Sequence, residues 1–233
     1  MEIVGAEQPT ADRVRERHDR LLTRLRETAA ANGHDPERLR IVGVTKTWPV
    51  EVARAAVDAG LTRLGESRIQ EAEPKIASMP GAEWHFIGRL QSNKARRAVR
   101  AFAVIHSVDS LDLLRRIGEI GEEEGRHPQL LLQVNVSGED AKAGIEPDAA
   151  LAGARVLSET GPVGLMTIAP MGASVEEARM TFARLRELRD RLEQGAGIDL
   201  PELSMGMSAD AEAAAAEGAT LIRIGTALFG PRR

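Results

Sequence analysis

Eight short runs of β character alternate with helical patterns along the 233 residues, no linker rich in proline, glycine or serine interrupts the series, and glycine and serine cluster after the last two runs. Together these observations predict an α/β fold: a single-domain (β/α)8 TIM barrel over residues 1–233, with an extra helical segment over residues 1–36. The chain is slightly shorter than the about 250 residues typical of that architecture. A doubly wound open sheet has similar local signals and is the alternative at this point.

The extra helix begins after Pro9-Thr10, where the Thr10 hydroxyl can cap. Val14, Leu21, Leu22, Leu25 and Ala29 share one of its faces and Gly33 stops it. Arginines and acids fill the opposite face, which reads as solvated surface. The β runs are then expected over residues 40–45, 62–65, 83–87, 103–107, 129–136, 162–168, 202–205 and 220–224. Helices are expected over 50–59, 69–77, 93–102, 111–124, 148–160, 175–194 and 210–217, with Gly60 as a stop and Asp109-Ser110 as a start. Each helix carries the chain back to begin the next strand, so the strands pair in parallel.

Composition narrows the function. The chain is 42% apolar and 28% charged, with a formal charge of −4 and only 3% aromatic residues. It therefore lacks both the basic footprint and the stacking platforms of a nucleic-acid binder. With no cysteine there is no disulfide, thiolate nucleophile or cysteine-based metal site, which suits a reducing cytoplasm. The five histidines show no metal-ligand spacing, so no metal is expected. No apolar run reaches membrane-spanning length and no signal peptide opens the chain, so a cytoplasmic protein is expected. Tyrosine is absent, which excludes a phenol as acid or base.

The chemistry begins at Ile41-Val42-Gly43-Val44-Thr45-Lys46-Thr47-Trp48-Pro49. A lysine closes this first β run, in a chain with four lysines and 27 arginines. An amine can lose its proton and attack a carbonyl, whereas a guanidinium cannot. Alternation puts Val42, Val44 and Lys46 on one face, so Lys46 can point to the barrel mouth. In a (β/α)8 barrel the site lies at the C-terminal ends of the strands, with phosphate commonly held after strands 7 and 8. Ser204-Met205-Gly206-Met207-Ser208-Ala209-Asp210 and Arg223-Ile224-Gly225-Thr226-Ala227-Leu228-Phe229-Gly230 stand at those two positions. Each brings glycine, a hydroxyl and a helix start, the elements of an anion cradle. A lysine, an arginine and a phosphate cradle suit pyridoxal 5′-phosphate (PLP), with a Schiff base on Lys46 and Arg223 facing the pyridine nitrogen. Being donor-only, Arg223 disfavours a protonated ring nitrogen and weakens the ring as an electron sink.

These blocks, with Gly65-Glu66, Trp84-His85-Phe86-Ile87-Gly88, Leu90-Gln91-Ser92-Asn93-Lys94 and Gly164-Leu165-Met166, resemble the pyridoxal phosphate homeostasis protein family. The similarity runs from about Leu39 to Gly230. It implies a barrel like the N-terminal domain of alanine racemase, of PLP fold type III. It also implies that Lys46 is the Schiff-base lysine, that Ser208, Gly225 and Thr226 hold phosphate, and that Arg223 lies near the pyridine nitrogen. Gly206 and Met207 belong to the same phosphate-side block. Where the family usually reads Gly-Glu-Asn this chain has Gly65-Glu66-Ser67, and Ser67 has no amide proton to donate toward the cofactor. His85 can face the cofactor or pack in the core with one hydrogen bond. Met166 can line the pocket or fill the core. Lys142, after the fifth strand, is the next lysine to suspect, and Lys94, Arg96, Arg97 and Arg100 form a basic helical face, solvated or partner-binding.

Two functions remain at this point. One is a racemase or decarboxylase; the racemase pattern needs a tyrosine from an additional domain and related decarboxylases a cysteine, and this chain has neither. The other, implied by the resemblance, is a non-catalytic binder that buffers PLP or hands it to apo PLP-dependent enzymes, expected to be a monomer with the cofactor face open to exchange.

Overall fold

The structure, a computed structural model, describes residues 9–138 and 143–231. Helix α1 (Ala11–Ala31) precedes β1 (Arg40–Val44), α2 (Val50–Asp58), β2 (Arg63–Glu66), α3 (Ile69–Ser78), β3 (Glu83–Phe86), α4 (Ala95–Ala101) and β4 (Val104–Val108). The chain continues through α5 (Leu111–Glu124), β5 (Gln129–Gln133), α6 (Pro147–Ala152), α7 (Ala154–Thr160), β6 (Gly164–Met166) and α8 (Val175–Ala196). It ends with β7 (Glu202–Ser204), α9 (Ala211–Ala216), β8 (Leu221–Ile224) and α10 (Thr226–Phe229). The eight strands close in sequence order, all in parallel, and β1 pairs with β8 from Arg40↔Leu221 to Gly43↔Ile224. That last pairing removes the open-sheet alternative.

Alternation divides the apolar residues into two layers. Val42, Val104, Leu131, Met166 and Leu221 form a small cluster inside the barrel. Ile41, Leu64, Ile105, Leu132, Leu165, Leu203 and Ile222 point outward and pack under the helices. The inner face is polar at its ends. At the N-terminal ends of the strands Arg40 pairs with Glu202 and Arg63 with Glu83, closing the barrel floor with opposite charges. The C-terminal ends form the mouth.

The caps follow the sequence. The Thr10 side chain accepts from Arg13 N, Ser110 from Leu113 N, and Ser174 forms a capping box with Glu177. One expected element splits: the helix predicted over 148–160 is α6 and α7, broken at Gly153. A Cβ at Gly153 would lie 2.4 Å from Leu111 Cδ1, so the close approach of α5 fixes the break. The helix predicted over 93–102 begins with a 3-10 turn, Ser92–Lys94. On α4, Arg96 pairs with Glu123 and Glu124, Arg97 with Glu73 and Arg100 with Glu124, so the basic face is matched by acids. Among the described residues no helix is long and apolar enough to cross a membrane.

Candidate functional site

The mouth is built first from the turn that follows β1. Trp48 N donates to Thr45 O at 3.1 Å, closing a four-residue turn with Lys46 and Thr47 at its centre. Thr47 has φ +66°, the left-handed region that a β-branched residue enters only under strain. Three contacts hold the turn. Lys75 Nζ on α3 donates to Thr45 O at 2.8 Å, Thr47 N donates to a Glu71 carboxylate at 3.3 Å, and the Trp48 ring packs edge-on to Phe229 of α10 with centroids 6.4 Å apart. Lys46, half-buried, is thereby displayed at a rigid corner beside β8.

Beneath the turn lies a buried ion pair that sequence reading missed. Glu66 is fully buried and Lys75 is 4% exposed. Lys75 Nζ donates to Glu66 Oε1 at 2.6 Å and Thr45 Oγ1 donates to the same oxygen at 2.7 Å. Among the described residues Glu66 Oε2 has no hydrogen-bond partner. Burial pushes the Glu66 carboxyl up, against the pull of Lys75 and Thr45. The signal existed: Lys75 stands on the helical stripe of Ile69 and Ala72, so one of the four lysines faces the core.

The phosphate-side loops come next. Gly206 has φ +88°, and a Cβ there would lie 2.5 Å from Ala214 Cβ; its carbonyl accepts from Arg223 N at 3.1 Å. Only glycine meets both demands. The loop then exposes Met207 and Ser208, with Met207 N donating to Asp210 Oδ1. Ala227 N, in the first turn of α10, donates to Ser208 Oγ at 3.3 Å, so the β7 and β8 loops touch through the predicted serine. Gly225 caps α10, and Thr226 is exposed beside it. Ser67, half-buried, follows β2; a Cβ at Gly88 would lie 2.1 Å from Ser67 O, so the β3 loop backs it directly.

Arg223 forms the floor of the mouth. It is 4% exposed, donates through Nη1 to Ser204 Oγ at 2.6 Å and through Nη2 to Thr167 O at 2.9 Å. Burial pulls its guanidinium down to about 10, so it stays cationic at neutral pH. Both named partners are neutral oxygens, and the two bonds engage two of five N–H groups. Such a donor set fits an uncharged ring acceptor, while the Gly206–Ser208 and Gly225–Thr226 loops fit an anion. The residues present therefore fit PLP.

The remaining predicted residues lie deeper. Met166 belongs to the inner apolar cluster. His85 is 1% exposed and bonded at both nitrogens, to Glu83 Oε1 at 2.9 Å and to His106 Nε2 at 2.8 Å. Lys142 lies outside the described residues.

The alanine racemase N-terminal domain family matches residues 22–233. A pyridoxal phosphate homeostasis protein of Synechocystis sp. is 44% identical over 84% of this chain and 93% of its own. The solved structure of PipY of Synechococcus elongatus PCC7942 with PLP bound is 42% identical, covers 90% of this chain and 100% of that one, and superposes with a TM-score of 0.80. Alanine racemase of Clostridium difficile 630, 18% identical over 92% of this chain and 57% of that one with a TM-score of 0.72, shares the barrel fold.

Proposed function

Because the chain belongs to the pyridoxal phosphate homeostasis protein family, within the wider group that shares the alanine racemase N-terminal domain, we propose that it binds PLP at the barrel mouth through Lys46 and buffers or delivers it without catalytic turnover. The observation that carries this reading is the placement of a strained, clamped Lys46 turn and a buried Arg223 with neutral partners at one end of the barrel.

When bound, PLP supplies an aldehyde that condenses with an amine and a ring that withdraws electrons. The chain's own residues do the rest. The turn held by Lys75, Glu71 and Phe229 fixes the backbone from which the Lys46 side chain departs, so the main chain loses little freedom on attachment. Ser208, Thr226 and the glycines beside them offer hydroxyl and backbone donors to the phosphate. Arg223 donates to the ring nitrogen without protonating it, which keeps the electron sink weak. No tyrosine or cysteine in the chain can act as a second acid or base. That absence, with a mouth whose Met207, Ser208 and Thr226 face solvent, supports a carrier over a racemase. A cytoplasmic monomer serving apo PLP-dependent enzymes completes the reading.

The test is a PLP titration followed by absorbance, on wild type and on Lys46→Ala, with each loaded protein then incubated with L-alanine. A saturable visible band in wild type alone, without formation of D-alanine, is expected. D-alanine formed at wild-type Lys46 and lost with Lys46→Ala would replace the carrier by a racemase.

A further inference from the structure

Arg223 is one end of a hydrogen-bonded line that crosses the barrel. Its Nη1 meets Ser204 Oγ at 2.6 Å, Ser204 Oγ meets His106 Nδ1 at 2.7 Å, His106 Nε2 meets His85 Nδ1 at 2.8 Å, and His85 Nε2 meets Glu83 Oε1 at 2.9 Å. The line runs from β8 through β7, β4 and β3 to the barrel floor. Ser204 and His106 are fully buried and His85 nearly so, whereas the Glu83 side chain is 42% exposed and also meets Arg63 at 3.0 Å.

The two ends fix its direction. A guanidinium only donates, so Ser204 Oγ accepts from Arg223 and turns its own hydrogen to His106 Nδ1. An ionised carboxylate only accepts, and His85 and Arg63 hold the Glu83 carboxyl below its ordinary range. His85 Nε2 therefore carries a hydrogen and its Nδ1 accepts from His106 Nε2. With both rings neutral, each of the four imidazole nitrogens has one partner of the matching kind, donor to acceptor, and reversing the direction would place a bare ring nitrogen against a carboxylate.

We infer that His106, acting through Ser204, is a positioning residue for Arg223: the line Arg223–Ser204–His106–His85–Glu83 holds the guanidinium in one orientation at the floor of the mouth and ties its charge to the carboxylate at the opposite end of the barrel. The inference rests on the proposed site only where PLP affinity is the readout. Without Nδ1 of His106, the Ser204 hydroxyl loses its acceptor and is free to rotate away from Nη1. Thr167 O then remains as the other named hold on the guanidinium, which can swing within the mouth.

The test uses the full chain, labelled with 15N and free of ligand, with side-chain NMR. In wild type at pH 7.5 both rings should be neutral and carry hydrogen on Nε2, and the buried Arg223 N–H signals should exchange slowly with water. His106→Asn keeps an acceptor near the Nδ1 position and should keep those Arg223 signals; His106→Leu, which removes both bonds, should lose them. A PLP titration supplies the second readout, with affinity about tenfold weaker in His106→Leu and restored to within about threefold by His106→Asn. Either ring found with hydrogen on Nδ1, or Arg223 signals unchanged in His106→Leu, would overturn the inference. Failure of wild type to bind PLP would sink the functional reading and leave the ligand-free NMR to decide this one. Should His106→Leu not fold, the ring tautomers of wild type and the retained signals of His106→Asn still decide it.

Discussion

Replacing Lys75 with methionine removes the cation of a pair that is almost wholly inside the protein. Glu66 would be left fully buried, with Thr45 Oγ1 donating to Oε1 and, among the described residues, no partner for Oε2. Breaking a buried pair by deleting one member costs about 3–5 kcal/mol, because the surviving charge keeps its desolvation cost. In a protein of this size that corresponds to a fall in melting temperature of roughly 10 °C. The loss should depend on pH. Burial raises the Glu66 carboxyl already, and without Lys75 it rises further. A raised carboxyl is neutral in the folded state while the unfolded one ionises, so its cost grows as pH climbs from about 4.5 toward the folded value. Urea unfolding of Lys75→Met against wild type should show a larger difference at pH 7.5 than at pH 5. The double variant Lys75→Met/Glu66→Met should recover most of the loss, since a well-packed apolar pair has no charge to desolvate. A single-variant loss below about 1 kcal/mol at pH 7.5, or a double variant no better than the single, would show that Lys75 does not offset a buried Glu66 charge.

Three other outcomes follow from particular geometries. Burial holds His85 below the ordinary histidine range and His106 well below it, with Glu83, Arg63, Arg40 and Arg223 as their charged surroundings. The unfolded state therefore binds protons that the folded state refuses, and stability falls with pH below about 6.5, by up to about 2.7 kcal/mol between pH 7.5 and 5.5 for the two rings. Urea midpoints across that range check it, and a flat profile would contradict the neutral pair. Gly206→Ala should cost about 2–4 kcal/mol, because the new methyl meets Ala214 Cβ while the backbone sits at φ +88°; calorimetry would read a loss under about 0.5 kcal/mol as a loop that simply moves. Thr47→Gly should relieve backbone strain and stabilise the protein by about 0.5–1 kcal/mol while loosening the Lys46 turn, so that PLP binds more weakly as the melting temperature rises. A lower melting temperature in that variant would show that Thr47 is not strained.

The sequence showed the barrel through its rhythm. All eight strands were legible, because parallel strands under helices read as continuous apolar runs; β5 and β6 end at Gln133 and Met166, short of the expected 136 and 168, while β2 and β4 each run one residue past their expected ends. The break at Gly153 was not legible, since it depends on Leu111 approaching from another helix. At the mouth, Lys46 and the two glycine loops stood out because unusual residue types occupied strand ends. What escaped were the polar groups within the core. Glu66, Lys75, His106 and Ser204 gain meaning only from partners 9, 21, 98 and 19 positions away. Periodicity could place Lys75 on a buried stripe and His106 on the inward face of β4, but not name what each would meet. His85, read as either cofactor-facing or core, proves bonded at both nitrogens inside the barrel.

The most direct test of the account is covalent. Protein loaded with PLP is reduced with borohydride, which fixes the ligand on the amine that holds it, and the labelled peptide is mapped. Label is expected on the peptide containing Lys46, at one equivalent per chain, with no label when Lys46→Ala is treated in the same way. Label spread over Lys75, Lys94 and Lys142, or a Lys46→Ala protein labelled as fully as wild type, would contradict it.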